Sequence, residues 1–148
     1  AAGLAHVEAE AARRELDIRC LHADANALEP FEGRRFDLVT ACYASLPRTT
    51  DDRAVHNLIG AVAPGGTLLL VSHDPTPLRA PIDTATASRA FDPDAYVGVE
   101  HVVAHIADDP DWTIEVHELR RRPLGSATHS HHVDDVVVRA RRTIDPQV

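Results

Sequence analysis

The stretch FDLVTA at residues 36–41, followed by CYASLP at residues 42–47, decides the fold of this chain. Its residues are apolar or small, apart from one charge near its start. A short apolar run of this kind is typical of a strand that is covered on both faces of a parallel sheet. A buried helix segment is the alternative, but two arginines before the run and Pro47 after it leave little room for a helix. Residues 42–47 are therefore expected at the carboxyl end of a central strand, where open α/β sheets bind ligands.

Length and composition narrow the class of protein. The chain has 148 residues, which predicts a single domain over residues 1–148. Its content of 44% apolar and 26% charged residues is ordinary for a globular chain. No run approaches the ~20 apolar residues of a membrane span, and no signal peptide is visible. A net charge of −8 argues against binding to nucleic acid, because a phosphate backbone requires a basic surface. We therefore expect neither a membrane nor a nucleic acid as a partner.

Two further features of the composition concern the start of the chain and its thiols. The chain contains no methionine and begins at Ala1, which predicts that its natural start lies upstream, with a processed N-terminus as the alternative. Cys20 falls in a predicted strand, and Cys42 lies at the end of another. We expect them to be buried thiols in a reducing cytoplasm rather than a disulfide.

The pattern of apolar residues predicts an alternation of helices and strands. Helices are predicted at residues 1–15, from an N-cap at Thr49 or Thr50 to the Pro64-Gly65-Gly66 turn, and from Asp92 to residue 108. Strands are predicted at residues 16–22, 36–41, 67–72, 112–121 and 133–141, with a long loop at residues 73–90.

Connection lengths decide how these strands are expected to pair. The linker between the last two strands is too short for a helical crossover, so these two strands should pair antiparallel. The remaining strands alternate with helices, which predicts an α/β fold with a mainly parallel sheet. Its core is expected to contain Leu38, Val39, Leu58, Ile59, Leu69, Leu70, Val71, Val103 and Val137.

Three segments, taken in order, resemble the latter two thirds of a class I S-adenosylmethionine-dependent methyltransferase. They are HADA at residues 22–25, FDLVTACYASLP at residues 36–47 and LIGAVAPGGTLLLV at residues 58–71. No single segment is specific, but their order and spacing extend the resemblance over nearly the whole chain. The resemblance implies a Rossmann-like fold, a mainly parallel sheet with a C-terminal antiparallel strand pair.

Two features of that family have no counterpart in this chain. They are the glycine-rich loop after the first strand and the acidic residue that binds the ribose of the cofactor. The resemblance therefore implies that the first two strands are missing, which leaves the strand at residues 36–41 with an unpaired apolar edge. Residues 16–22 would then pair with it directly, or a second chain would fill the gap as in a homodimer, or the chain belongs to a longer protein. Without the loop, these 148 residues are expected to bind S-adenosylmethionine only weakly.

The resemblance also implies which residues bind S-adenosylmethionine. Asp24 is expected to accept a hydrogen bond from the adenine amino group, and the Ala25 backbone N–H to donate to the adenine ring. The alternative for Asp24 is a loop carboxylate that caps a turn. Cys42 and Tyr43 are expected to line the methionine and sulfonium side of the cofactor, with Leu46 packed nearby. Their alternative is ordinary core packing.

The histidines point to function less strongly. His73 follows the predicted strand at residues 67–72, at the rim expected for the cofactor, and is a weak candidate for a catalytic base or a substrate contact. No other catalytic residue is indicated. The tract HSHH at residues 129–132 resembles a metal-binding sequence, but an exposed polar turn is favoured, and no metal is predicted.

Three functions remain open from the sequence. The first is a methyltransferase that acts on a small molecule. The second is a non-catalytic remnant of that fold, serving as an interaction or dimerisation domain. The third is a different nucleotide-binding α/β protein, such as a dehydrogenase. Residues 22–25 and the terminal strand pair favour the first over the third, and the charge of −8 favours a neutral or cationic small acceptor.

Overall fold

Four strands and four α-helices make up the part of the chain that the computed structural model describes, which is residues 2–79, 92–122 and 134–143. In chain order they are α1 Ala2–Arg13, β1 Phe36–Cys42, α2 Arg53–Gly60, β2 Val62–His73, α3 Thr76–Arg79, α4 Val99–Ile106, β3 Trp112–Arg121 and β4 Asp134–Arg142. A short 3₁₀ helix, Pro93–Ala95, precedes α4. Among the helices of these ranges, none is long and apolar enough to cross a membrane.

The strands form a single small mixed sheet in the order β1-β2-β4-β3. The pair β1–β2 is parallel, whereas β2–β4 and β3–β4 are antiparallel. The prediction of a mainly parallel, Rossmann-like sheet is therefore wrong, since two of the three pairings run antiparallel. The predicted antiparallel pairing of the last two strands is confirmed. The difference arises because β4 inserts between β2 and β3, so that the terminal pair contributes half of the sheet.

Residues 16–22 were predicted to form a strand, and this prediction is wrong. The segment has no regular secondary structure, and its apolar side chains Leu16, Ile18 and Leu21 are exposed. Direct pairing of this segment with β1 does not occur, and within the described residues β1 pairs with β2 alone. A short apolar run becomes a strand only where a neighbouring strand accepts its backbone hydrogen bonds. As a result, β1 forms an edge of the sheet.

The Pro64-Gly65-Gly66 turn lies inside β2 rather than at the end of a helix. Helix α2 ends at Gly60, and β2 already begins at Val62. The register between β1 and β2 shifts here, from Phe36 opposite Val62 to Leu38 opposite Thr67, so β2 bulges over these residues. Gly65 has a φ of 76°, and a Cβ on Gly66 would lie 2.8 Å from the Ala63 carbonyl oxygen. The two glycines therefore allow a sharp bulge that brings the strands together.

The core lies on one face of the sheet, where α2 and α4 pack against β2. Val39, Leu58 and Leu70 are buried there, as predicted. The predicted core residues Ile59, Leu69, Val71, Val103 and Val137 are only half-buried. Alternate residues of a strand face opposite sides, and Leu69, Val71 and Val137 lie on the side away from α2 and α4. Leu38 was predicted to be buried and is 57% exposed, because it lies on the edge strand.

Two local predictions also need correction. The helix predicted from Asp92 is broken: Asp92 caps the 3₁₀ helix by accepting a hydrogen bond from the Asp94 N–H, and α4 begins only at Val99. Cys42, expected to be buried, is exposed at the end of β1, and Cys20 is half-buried. The predicted loop at residues 73–90 contains α3, and its residues 80–90 lie outside the described ranges.

We expect Leu68→Ala to lower the free energy of unfolding by about 2–5 kcal/mol, because Leu68 is fully buried at the centre of the core. That loss is a large part of the about 5–15 kcal/mol that stabilises a typical domain. Urea denaturation followed by circular dichroism measures it. The control is Leu119→Ala on β3, which is 58% exposed and should cost less than about 0.5 kcal/mol. Equal losses at the two positions would contradict this account of the core.

The exposed apolar edge at β1 is expected to promote self-association, since unpaired edge strands pair with other chains. Leu38 and Leu119 are nearly equally exposed on opposite edges of the sheet, at 57% and 58%. The β3 edge, however, carries charged residues around Leu119 that discourage strand addition. Sedimentation velocity over a concentration series should therefore show weaker association for Leu38→Lys and no change for Leu119→Lys. Equal effects of the two substitutions would refute a specific role for the β1 edge.

Candidate functional site

A cavity of about 440 Å³ opens where the parallel strands β1 and β2 end. The residues that follow β1 form one wall, the end of β2 forms the floor, and the segment before α4 with its first turn forms the opposite wall. The lining residues are Tyr43, Ala44, Ser45, Ser72, His73, Pro75, Arg79, Pro93, Tyr96, Val97, Gly98, Val99, Glu100, His101 and Val136. The predicted place for a ligand, the carboxyl end of the strand at residues 36–41, is thus a concave surface.

Tyr43 turns the chain sharply out of β1 at the edge of this cavity. Its backbone N–H donates to the Val71 carbonyl at 2.8 Å, which extends the parallel ladder by one residue. Its φ is 52°, a left-handed conformation that costs a non-glycine residue about 1–3 kcal/mol. The phenol is held in place because its O–H donates a hydrogen bond to Asp135 Oδ2 at 2.7 Å. A strained backbone and an anchored side chain together fix the position of the ring.

Asp135 is the centre of a polar cluster beneath the cavity. It is the only charged side chain that is buried within the described ranges, with 7% exposed. It lies on β4 directly opposite His73 on β2, so the two side chains share one face of the sheet. Arg122, the residue after β3, donates from Nε to Asp135 Oδ2 at 2.9 Å. The buried carboxylate therefore receives hydrogen bonds from both the phenol of Tyr43 and a guanidinium.

The ionisation of this cluster follows from its contacts. Burial alone would raise the pKa of the Asp135 carboxyl, but the hydrogen bonds from Arg122 and Tyr43 outweigh it and hold this pKa below its ordinary value. The hydrogen bond to Asp135 raises the pKa of the Tyr43 phenol, and the same carboxylate raises the pKa of Arg122. At neutral pH the cluster therefore holds an ionised Asp135, a protonated Tyr43 and a charged Arg122.

His73 is the fourth member of the cluster, and its contacts indicate which ring nitrogen carries the proton. Its Nδ1 lies 2.8 Å from a terminal guanidinium nitrogen of Arg122 and 3.3 Å from Asp135 Oδ1. The two contacts make opposite demands on Nδ1, since a guanidinium can only donate and a carboxylate can only accept. The shorter contact, with a permanently charged donor, makes Nδ1 the acceptor. The neutral imidazole then carries its proton on Nε2.

Ring contacts join the same residues into one packed unit. The rings of Tyr43 and His73 lie with their centroids 4.7 Å apart and their planes tilted by 37°. The guanidinium carbon of Arg122 lies 5.2 Å from the centroid of the Tyr43 ring, within the range of a cation–π interaction. The cluster therefore reaches the cavity through Tyr43 and His73, while Asp135 and Arg122 hold these two rings from outside the lining.

The opposite wall presents a second histidine from the first turn of α4. The Gly98 backbone N–H donates to His101 Nδ1 at 2.9 Å, so Nδ1 is an acceptor and the neutral ring carries its proton on Nε2. Burial lowers the pKa of His101, and the positive charge of Arg48 lowers it further. His101 is therefore neutral at pH 7 and contributes a hydrogen-bond donor to the cavity wall.

The two charged residues of the cavity wall, Arg79 and Glu100, carry opposite charges, and each has a polar partner beside it. Arg79 donates from its terminal nitrogen to Asp94 Oδ1 at 2.8 Å. Glu100 Oε1 lies 3.0 Å from His117 Nε2. Because these pairs are exposed, each contributes little to stability, but together they leave the wall without a strong net charge.

The structure places the predicted cofactor residues in different surroundings. Tyr43 lines the cavity, whereas Cys42 is exposed at the end of β1 and Leu46 packs half-buried against the core. Asp24 lies in an exposed turn, where its Oδ1 accepts the Asn26 N–H at 2.9 Å. That is the turn-capping role given above as the alternative, and it leaves the second carboxylate oxygen for another donor. Ala25 lines a separate cavity of about 290 Å³ together with Phe31 and Phe36.

Asn26 links these surroundings, and the sequence did not indicate it. Its side-chain amide donates to the Pro47 carbonyl at 3.0 Å, and its Oδ1 accepts the Ala54 N–H at 3.1 Å. The Asn57 amide further binds the Ala25 carbonyl at 2.7 Å. These bonds dock the turn at residues 24–27 onto the start of α2 and onto the segment that follows β1. The turn that was predicted to contact the adenine is therefore fixed beside the segment that follows β1.

Three residues of the site were missed at the level of sequence, namely Arg122, Asp135 and His101. Arg122 and Asp135 lie 13 residues apart, and only the pairing of β3 with β4 brings them together. A signal for Asp135 was present, since an acidic pair precedes the apolar run of β4.

Within residues 2–79, 92–122 and 134–143, no group of three or more His, Cys, Asp or Glu could hold a metal ion. The HSHH tract at residues 129–132 lies outside them.

Comparison with known proteins supports the fold alone. No family model and no curated protein matches this chain. One solved structure, described as "Conversion of a Disulfide Bond into a Thioacetal Group during Echinomycin Biosynthesis", is similar to it with a TM-score of 0.60 and 21% sequence identity. The match covers 95% of this chain and 63% of the other, so the chain spans less than two thirds of the length of that protein. At this identity the likeness says nothing about activity.

We expect Asp135→Asn to remove the stability that the ionised carboxylate provides and that the wild type loses at acid pH. Because the folded-state pKa of Asp135 lies below an unfolded value of about 3.9, the ionised carboxylate stabilises the fold above that pH. This stability is lost as the pH falls through the folded-state pKa. Urea midpoints should therefore differ most between wild type and variant at neutral pH, and converge below about pH 4.

The control for this series is Asp94→Asn, which removes an exposed carboxylate paired with Arg79 and should change the midpoint little at neutral pH. A difference between wild type and Asp135→Asn that grows toward acid pH would contradict the assignment of an ionised Asp135.

Proposed function

We propose that this chain is part of an S-adenosylmethionine-dependent methyltransferase that acts on a small molecule. The observation that supports this most is the cavity at the carboxyl ends of β1 and β2. Its first wall begins with Tyr43, which the sequence resemblance assigns, together with Cys42, to the methionine and sulfonium side of the cofactor. Ligands of α/β proteins commonly bind at such strand ends.

The chain's own residues have clear roles in this proposal. The cofactor supplies an activated methyl group, so the protein has to align donor and acceptor and to exclude water. The turn at residues 24–27 would hold the adenine, with Asp24 Oδ2 accepting from the exocyclic amine while Oδ1 keeps its bond to the Asn26 N–H. Tyr43 would place its ring beside the sulfonium side, held there by Asp135.

The size and charge of the cavity favour a small and uncharged acceptor. A volume of about 440 Å³ lies within the range of about 300–1,000 Å³ that is usual for small-molecule sites. Arg79 and Glu100, the ionised residues on its wall, carry opposite charges. His101 adds a polar contact in neutral form, and His73 adds a second imidazole. A neutral acceptor also agrees with the net charge of −8 better than a nucleic acid does.

Calorimetric titration of S-adenosylhomocysteine, the demethylated cofactor, into the protein as its gene encodes it tests this proposal. We expect Asp24→Ala to weaken binding by about tenfold to a hundredfold, since a hydrogen bond to a charged group contributes about 1.5–3 kcal/mol. The matched control is Asp17→Ala, which removes an exposed carboxylate from the neighbouring segment and should leave binding unchanged.

Two results would count against the proposal. If the wild-type protein does not bind the nucleoside, the methyltransferase proposal fails. If it binds and both aspartate variants behave alike, the adenine contact of Asp24 is wrong while the cavity remains the candidate site.

A second function is favoured by a different observation, the exposed apolar edge at β1. A non-catalytic interaction or dimerisation domain would use such an edge to add a strand from another chain. The two functions give different results in the measurements above. Association that depends on Leu38, together with no binding of S-adenosylhomocysteine, would favour the interaction domain.

A further inference from the structure

In the cluster beneath the cavity, the positions of Tyr43 and His73 both depend on Asp135. Its carboxylate lies on β4, which is hydrogen-bonded to β2 on one side and β3 on the other. It lies opposite His73 in one pairing and opposite Arg120 in the other. Because Asp135 is paired on both sides and only 7% exposed, it is the most firmly held member of the cluster.

Tyr43 depends on Asp135 for its position. The residue leaves β1 in a left-handed conformation, with a φ of 52°, and its exposed ring forms part of the cavity wall. The O–H bond to Asp135 Oδ2, at 2.7 Å, is the tether that keeps the ring over His73. Without this acceptor, the strained backbone can relax and the ring can leave the wall.

His73 depends on Asp135 through Arg122. The guanidinium donates from Nε to Asp135 Oδ2 at 2.9 Å, and its terminal nitrogen lies 2.8 Å from His73 Nδ1. A guanidinium is a planar fork, so a bond at one nitrogen fixes the direction of the other. The carboxylate thus aims the donor that keeps Nδ1 unprotonated and places the proton on Nε2.

We propose that Asp135 is the positioning residue of the site: through Tyr43 it fixes the wall of the cavity, and through Arg122 it selects the Nε2–H tautomer of His73. This inference rests on the proposed function, because the fixed wall is where the methyl acceptor would be aligned. It also gives His73 the role of a hydrogen-bond donor to the acceptor rather than that of a base.

Spectroscopy tests the positioning directly and needs no activity. The chain has two tyrosines, so a Tyr96→Phe background leaves Tyr43 as the only phenol to titrate by ultraviolet absorption. In that background the pKa of Tyr43 should lie above its ordinary value and fall toward about 10 when Asp135→Asn is added. An unchanged phenol pKa would overturn the tether between the two residues.

The tautomer is read from nitrogen-15 spectra of the imidazoles, with the His73 signals assigned by His73→Gln. We expect an unprotonated Nδ1 and a protonated Nε2 in the wild type, and a mixture of tautomers in both Asp135→Asn and Arg122→Lys. Arg122→Lys keeps the positive charge but loses the planar guanidinium that contacts both Asp135 and His73. It therefore tests how the tautomer is selected even if Asp135→Asn does not fold. A protonated Nδ1 in the wild type would overturn the assignment.

Kinetics of the protein as its gene encodes it then separate positioning from folding and from binding. For Asp135→Asn we expect kcat to fall by about tenfold to a hundredfold, the effect of a small misplacement at a reacting centre, while binding of S-adenosylhomocysteine weakens by a smaller factor because the adenine contact of Asp24 is unchanged. Equal loss of binding and kcat would show a structural role only and overturn the proposal. Absence of nucleoside binding in the wild type would refute the methyltransferase function, while the spectra would still decide the positioning.

Discussion

The pairing of β2 on both of its edges is the constraint on which the rest of the structure depends. β2 runs parallel to β1 on one side and antiparallel to β4 on the other. Its alternate residues Leu68 and Leu70 are buried on the face where α2 and α4 pack, so the same strand organises the core. Its carboxyl end carries His73 to the floor of the cavity. A change that displaced β2 would therefore disturb the core and the candidate site together.

The register of the sheet explains why a charge can be buried beneath the site. An isolated carboxylate in an apolar interior would be strongly unfavourable, and removing a partner from a buried pair is more harmful than removing the whole pair. Asp135 is tolerated because β4 places it opposite His73, within reach of Tyr43 at the end of β1 and of Arg122 at the end of β3. Each partner comes from a different strand end, so the cluster ties the ends of the sheet together.

Apolar surface is distributed unevenly over the molecule. Of the nine large apolar residues that are exposed in the described ranges, eight lie between Val7 and Tyr43, and the ninth is Leu119 on β3. They include Leu38 on the edge strand and Leu21 in the irregular segment before it. Most of the exposed large apolar side chains thus belong to the first third of the chain. The strands β2 and β4, by contrast, bury Leu68, Leu70, Val138 and Ala140 in the core.

The sequence by itself determined the helices and strands whose apolar periodicity can be seen within a short stretch of residues. The TLLLVS run of β2, the alternating β3 and the helix α1 were predicted from apolar period alone, and the antiparallel terminal pair from the length of its linker. It also indicated the carboxyl end of β1 as the place for a ligand. The tertiary structure decided what depends on neighbours. Residues 16–22 form no strand because, within the described part of the chain, no strand lies beside them, and Leu38 is exposed because β1 is an edge there. The cluster around Asp135 exists only through strand register, which brings together residues up to 92 positions apart in the chain. Local patterns carry no information about such contacts.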